Sequence, residues 1–294
     1  MSKKKFDFSS LRKSYVNYYH NRYYDVWINL FRYKELDYQE NEYIFRKLWS
    51  EGSIAGFIVK NTKGSSIAPK GLPTFAMYTP AEYNIYDYAT KCNLVNNRGV
   101  NFIPNTMQTI DKDVVIFYSN RLRKGTFAFI EPLIQRLALV ECVIKINLNA
   151  HKTPFLIPIA PEDEAQLKKL WEDIENDEEV VFLKAENFDK LKVLLMGNQY
   201  IIDKLYQVKD RVESEIREFF GFNNIPVGEK KEHLISDEVD SNNQFTDFRY
   251  NTLKTILEDN AKRFTEVFGY TLTLEENRPV REGNTEEKEL EDEI

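Results

Sequence analysis

The chain has 294 residues, enough for one large or two ordinary domains with a sizeable core. Its 17 Tyr and 20 Phe exclude a wholly disordered protein, and two cysteines exclude both a disulfide framework and a cysteine-based zinc site. The formal charge is −7, of which nine acids against three bases in Glu275–Ile294 supply −6, so the near-neutral remainder excludes a protein that coats nucleic acid generally.

Met1–Phe8 is a short basic arm with Lys3, Lys4 and Lys5 in a row. Two readings are open: a frayed, solubilising terminus, or an arm that binds nucleic-acid phosphates. No aliphatic run follows, so no signal peptide is expected, and the cysteine usage suits a reducing compartment. Ser9 or Ser10 caps an expected helix to about Glu35, whose apolar face carries Leu11, Tyr15, Tyr18, Tyr19, Tyr23, Trp27, Leu30 and Phe31. Those tyrosines are read first as packing, with a nucleic-acid stacking platform as the rival. A short helix is expected over Asn41–Glu51, ending at Gly52.

Between Ile54 and Phe117 the pattern becomes β-like. Short strands are expected at Gly56–Val59, Thr74–Tyr78, Tyr83–Tyr88 and Val114–Tyr118, separated by turn-rich Asn61–Gly71 and Asn96–Gly99. A long helix, Phe127–Asn149, follows. Its polar residues Glu131, Gln135, Glu141 and Lys145 share one arc of roughly 120°, with Arg136 outside it. About two thirds of the circumference therefore needs covering. A membrane span is the obvious rival, but each charge at a bilayer centre costs about 2–3 kcal/mol, which argues against it. Either this is the central helix of a large monomeric core, or copies of itself pack on both flanks in a ring.

Pro154 and Pro158 stop that helix, and 150–200 reads as a compact α/β insertion with a helix over Glu162–Asn176. The next helix, Ile201–Phe220, has a narrow apolar stripe of Ile201, Leu205, Val208, Val212, Ile216 and Phe219/Phe220. The rest of it is charged or polar and faces water, and Gly221 ends it. Asn223–Asp247 shows no period and is expected to be a mobile loop. A third helix, Phe248–Phe268, closes at Gly269, and Tyr270–Leu274 reads as a last strand before an acidic, disordered tail over 275–294.

Chemistry finds little support. His20, His151 and His233 lack zinc-motif spacing, and no phosphate-binding or nucleophile-elbow motif occurs. His233 lies near Asp237, Glu238 and Asp240, which leaves a metal-dependent nuclease as a formal rival to solvated charges. No catalytic residue, cofactor or resident metal is expected.

NAHKTPFLI at Asn149–Ile157 and EKKEHLISDEVDSNN at Glu229–Asn243, with IIDKL at Ile201–Leu205 between them, resemble one family. It is the upper collar (portal, head-to-tail connector) proteins of small short-tailed phages with protein-primed linear DNA. The element order agrees from Lys3 to about Leu274. The resemblance implies an α+β, non-enzymatic protein, built as a homo-oligomeric ring of twelve copies at one capsid vertex. Genomic double-stranded DNA is packaged and ejected through it. The implied parts are an N-terminal wing (1–126) with helices and a small antiparallel β unit at the wide end, and ring-lining stem helices (127–149, 201–222). A clip (150–200) at the narrow end, a channel loop (223–247), a C-terminal helix and strand (248–274) and the tail complete it. By residue match the family's channel lysines fall on Lys204, Lys230 and Lys231, and Lys209 on the same wet helix is added. A further family lysine falls on Leu195, with Lys192 close by. The basic arm, which grips a packaging RNA in some members, corresponds to Lys3, Lys4 and Lys5. Leu133, Leu137, Val140 and Ile144 are expected to pack between subunits. Implied partners are the major capsid and scaffolding proteins, the lower collar or tail protein and a packaging ATPase, with no membrane. Assembly would occur in the host cytoplasm and the product would reside in the virion. A non-portal ring adaptor of the tail is the nearer alternative.

Overall fold

A computed structural model describes residues 8–59, 71–96, 103–152, 200–222 and 236–277. The element order is α1 (Phe8–Leu30), β1 (Phe31–Tyr33), α2 (Tyr38–Ser50), β2 (Ser53–Val59), β3 (Leu72–Ala76), β4 (Tyr78–Tyr83), β5 (Ala89–Leu94), β6 (Gln108–Thr109), β7 (Val115–Tyr118), α3 (Phe127–Lys152), α4 (Ile202–Phe219), α5 (Ser236–Phe268) and β8 (Leu274–Glu276). Long helices beside small antiparallel sheets make this an α+β fold. No helix among the described residues is long and apolar enough to cross a membrane.

The chain divides into two units. The first comprises Met1–Asn17, Leu133–Glu215 and Pro226–Lys230; the second comprises Tyr18–Pro132, Ile216–Ile225 and Lys231–Ile294. α1, α3 and α4 each contribute to both. In α3 the division falls at Pro132, which has no N–H to donate to the carbonyl four residues back.

The second unit holds three sheets, ordered β1-β8, β3-β2-β7 and β4-β5-β6, with every strand pair antiparallel. α2 starts on a reciprocal cap: the Asp37 carboxylate accepts the Glu40 N–H at 2.8 Å, and the Glu40 carboxylate accepts the Asp37 N–H at 3.0 Å. Burial of Ile44, Phe45, Leu48 and Trp49 fixes its inner face. The core is aromatic. Phe117 of β7 lies edge-on to Tyr33, Phe75 and Phe264, with ring centroids 5.4–5.7 Å apart.

α5 covers the edge of β7 that β2 leaves open. The Asn260 amide accepts the Tyr118 N–H at 3.1 Å and donates to the Tyr118 carbonyl at 2.8 Å. One turn on, Arg263 donates to the Ile116 carbonyl at 3.0 Å and to Asp111 at 2.5 Å. Two side chains thus satisfy three backbone groups of that edge, as another strand would.

Several expectations need correction. α1 stops at Leu30 rather than Glu35, because Phe31–Tyr33 pairs with Leu274–Glu276. For the same reason the last strand is Leu274–Glu276, so the acidic segment begins as ordered backbone. Of the expected strand Tyr83–Tyr88, Tyr83 ends β4 and the rest is a turn between β4 and β5: the Asn84 carboxamide oxygen accepts the N–H groups of Tyr86 and Tyr88 at 2.9 and 3.0 Å. The expected strand Thr74–Tyr78 is divided at Met77 between β3 and β4, and most of β4, with β5 and β6, has no counterpart among the expected strands. Ser236–Asp247, read as loop, is the opening of α5. The acids of Ser236-Asp237-Glu238 suit a helix N-terminus, a signal outweighed by the lack of apolar period. Val208 is 40% exposed and leaves the apolar stripe of α4. Tyr19, Tyr23 and Trp27 are buried, so these α1 aromatics are packing rather than a stacking platform. Residues 153–199, 223–235 and 278–294 lie outside the described residues, as do the turn-rich pieces at 60–70 and 97–102.

Candidate functional site

The first unit brings the start of α1, most of α3 and most of α4 together. Arg12 Nη2 donates to Gln135 Oε1 at 3.2 Å, tying α1 to α3. Arg136 and Glu215 approach to 3.6 Å at the surface, and Lys209 Nζ lies 2.7 Å from Glu141 Oε1, tying α4 to α3. The Lys209–Glu141 pair is largely shielded, with side chains 22% and 17% exposed. Burial pulls the Lys209 pKa down, but the hydrogen bond and charge of Glu141 outweigh it, and the net shift is upward. Burial, then the Glu141 charge, raises the nearby Tyr15 phenol.

Lys209 was expected to contact DNA. Within the protomer its ammonium pairs with Glu141 and ties two helices. Lys204 differs: it is exposed on the outer side of α4, with no ion pair to a described residue. Asp203, Gln207, Arg211 and Glu215 share that exposed side. Over Ile202–Phe219 five acids face four bases, so the helix offers a wet, mixed surface with little net pull on a polyanion. Lys230 and Lys231, and Lys3, Lys4 and Lys5, lie outside the described residues.

The residues expected to pack between subunits also need correction. Leu137, Val140 and Ile144 are 0%, 7% and 4% exposed in the single chain, and Leu133 is half-buried. Leu137, Val140 and Ile144 belong to the protomer's own core, along with Ile134, Ala138 and Cys142. α3 is nevertheless not fully covered. Leu139, Ile146 and Leu148 remain 42%, 44% and 47% exposed. Leu139 and Ile146 are two turns apart on one face, with half-buried Val143 between them. The sequence period showed that most of α3 needs covering, but the side left open by the chain's own helices depends on tertiary packing.

Both cysteines are free and buried; burial pushes the Cys92 thiol up to about 11, which disfavours its thiolate at neutral pH. His20 is a packing residue, its ring edge-on to Phe127 at 4.8 Å and its Nε2 accepting the Trp49 indole N–H at 3.3 Å. Among the described residues no three His, Cys, Asp or Glu side chains are grouped as metal ligands.

The first unit thus combines helices tied by internal ion pairs, a wet charged side and a leftover apolar strip. Comparison with known proteins makes this specific. The family described as Phage Connector (GP10) matches residues 2–279, and the chain belongs to that family. Its fold is similar to that of a chain in "Portal and tail of native bacteriophage P68", at 15% identity, with 97% of this chain and 93% of that chain covered and a TM-score of 0.51. The family assignment supports a portal function and neither the tail adaptor nor the nuclease.

Proposed function

We propose that this connector subunit closes a ring, of twelve copies as the resemblance implies, at one vertex of a phage capsid, and that double-stranded DNA passes through it. The observation that carries this reading is the family match over residues 2–279. The physical support is the exposed side of α4. A nearly charge-balanced wall lets a polyanion slide, and isolated cations on it give local, salt-screened phosphate contacts. Lys204 is such a cation, and Lys230 and Lys231 are assigned the same role by residue match. Lys3, Lys4 and Lys5 are assigned to a packaging RNA or another nucleic acid. The remaining partners in this reading are the major capsid and scaffolding proteins, the lower collar or tail protein, and a separate ATPase that drives packaging. Assembly takes place in the host cytoplasm.

Replacing Lys204, Lys230 and Lys231 together by Ala tests the DNA assignment. The ring is expected to remain intact, because Lys204 is exposed and ties no element. Retention of DNA in filled heads is expected to fall, with the deficit growing as ionic strength is lowered and the native contacts strengthen. Retention equal to that of the unaltered protein at every salt concentration removes these lysines from DNA contact.

A further inference from the structure

The turn between β4 and β5 is built with care and then left uncovered. The Asn84 N–H donates to the Tyr88 carbonyl at 2.9 Å, and the Asp87 N–H to the Asn84 carbonyl at 3.1 Å. With the two N–H groups held by the Asn84 side chain, four hydrogen bonds close the turn. Asp87 takes the left-handed conformation, φ 58°, that the turn requires. From the segment before α3, Arg123 Nη1 donates to the Asp87 carbonyl at 3.1 Å, and its guanidinium sits 3.9 Å from the centre of the Tyr88 ring.

This rigid turn presents apolar side chains to water. Tyr83, Ile85, Tyr86 and Tyr88 are 59%, 88%, 73% and 54% exposed, and Leu122, next to Arg123, is 67% exposed. Their uncovered surface is on the order of 600 Å², most of the ~800 Å² per partner that a stable interface buries. Of the charges near the patch, Lys91 pairs with Glu82 at 3.0 Å on the adjoining strands and Arg123 is held by the Tyr88 ring and the Asp87 carbonyl, while Asp87 and Arg121 are exposed at its border. A preordered aromatic tip loses little entropy on docking, which is how a few residues come to dominate an interface. Its most exposed member is aliphatic Ile85, which has no face for a base to stack on, so a protein partner fits better than a nucleic acid. An exposed apolar patch of this size, already ordered, suits a permanent partner better than an occasional one.

We infer that the β4–β5 tip, with Leu122, docks on a second copy of this chain, as a contact between neighbouring subunits. The inference rests on the connector reading, in which every copy has two permanent neighbours. Each ring interface would be heterologous, so the tip meets a different surface of the next copy rather than another tip.

The test is sedimentation velocity of the full chain over a dilution series, comparing wild type, Ile85→Asp/Tyr86→Asp and Leu122→Asp. Both variants alter exposed side chains and are expected to keep the wild-type circular dichroism and melting temperature. The concentration at half-dissociation is expected to rise roughly thirtyfold or more for the double variant, and to rise for Leu122→Asp as well. If the double variant misfolds, Leu122→Asp decides alone. Wild-type dissociation curves for folded variants overturn the inference and leave the connector reading standing. A wild-type protein that never closes a ring overturns both.

Discussion

Gly52→Ala is expected to cost on the order of 4 kcal/mol or more of folding stability, while Gly269→Ala costs roughly 1–2 kcal/mol. Both glycines adopt the left-handed conformation, with φ of 83° and 65°, and carry a similar backbone penalty when a Cβ is added. They differ in space. A Cβ on Gly52 would lie 2.2 Å from the Lys124 carbonyl carbon and 2.6 Å from the Gly125 nitrogen, whereas nothing lies within 4 Å of one on Gly269. The obstruction at Gly52 is backbone, which cannot rotate away. A Cβ on Gly125 would in turn meet the Ser50 carbonyl oxygen at 2.3 Å. The two glycines let the end of α2 and the start of α3 touch, and hydrogen bonds clamp the joint: Ser119 N–H to the Gly52 carbonyl at 2.9 Å, and Thr126 N–H to the Leu48 carbonyl at 3.2 Å. Urea unfolding of the two variants measures the difference. Equal losses would mean the chain yields at Gly52 and that the contact is not needed.

Leu139→Asp/Ile146→Asp is expected to leave the protomer folded and abolish the ring. Both residues lie on the open strip of α3, and exposed substitutions away from special features usually change stability by less than about 0.5 kcal/mol. In a closed ring the same change places two carboxylates in every subunit interface. Each desolvated hot-spot position costs about 2 kcal/mol or more. Leu137→Asp/Ile144→Asp should behave in the opposite way. Those residues are 0% and 4% exposed in one chain, so carboxylates there unfold the protomer before assembly is an issue. Circular dichroism and sedimentation on both pairs separate the two. If the Leu139/Ile146 variant still assembles, the strip faces something other than a neighbour.

The two pairs show where the sequence is legible and where it is not. The apolar period of α3 and the single stripe of α4 could be read directly, because a helix repeats its faces every few residues regardless of what covers them. What covers them is a tertiary fact. Leu137 and Leu139 look alike in the sequence, yet the first is buried by its own chain and the second is not. Lys204 and Lys209 look alike as well; the difference is Glu141, on another helix. Tyr83–Tyr88 imitates a strand because it is rich in tyrosine and isoleucine, residues that favour strands, and only the Asn84 side-chain bonds reveal a turn. The opening of α5 escaped notice because Ser236–Asp247 has too few apolar residues to show a helical period. The family, by contrast, was legible from short motifs in register, which need no packing to be recognised.

The central claim is that the outward strip of α3 and the charged side of α4 belong to one subunit of a closed channel. Images of the purified wild-type protein viewed along the particle axis test it most directly. Annular particles with one fixed subunit number and a central opening wide enough for a DNA duplex are expected. Single protomers at micromolar concentration, or rings too narrow to admit a duplex, would contradict it.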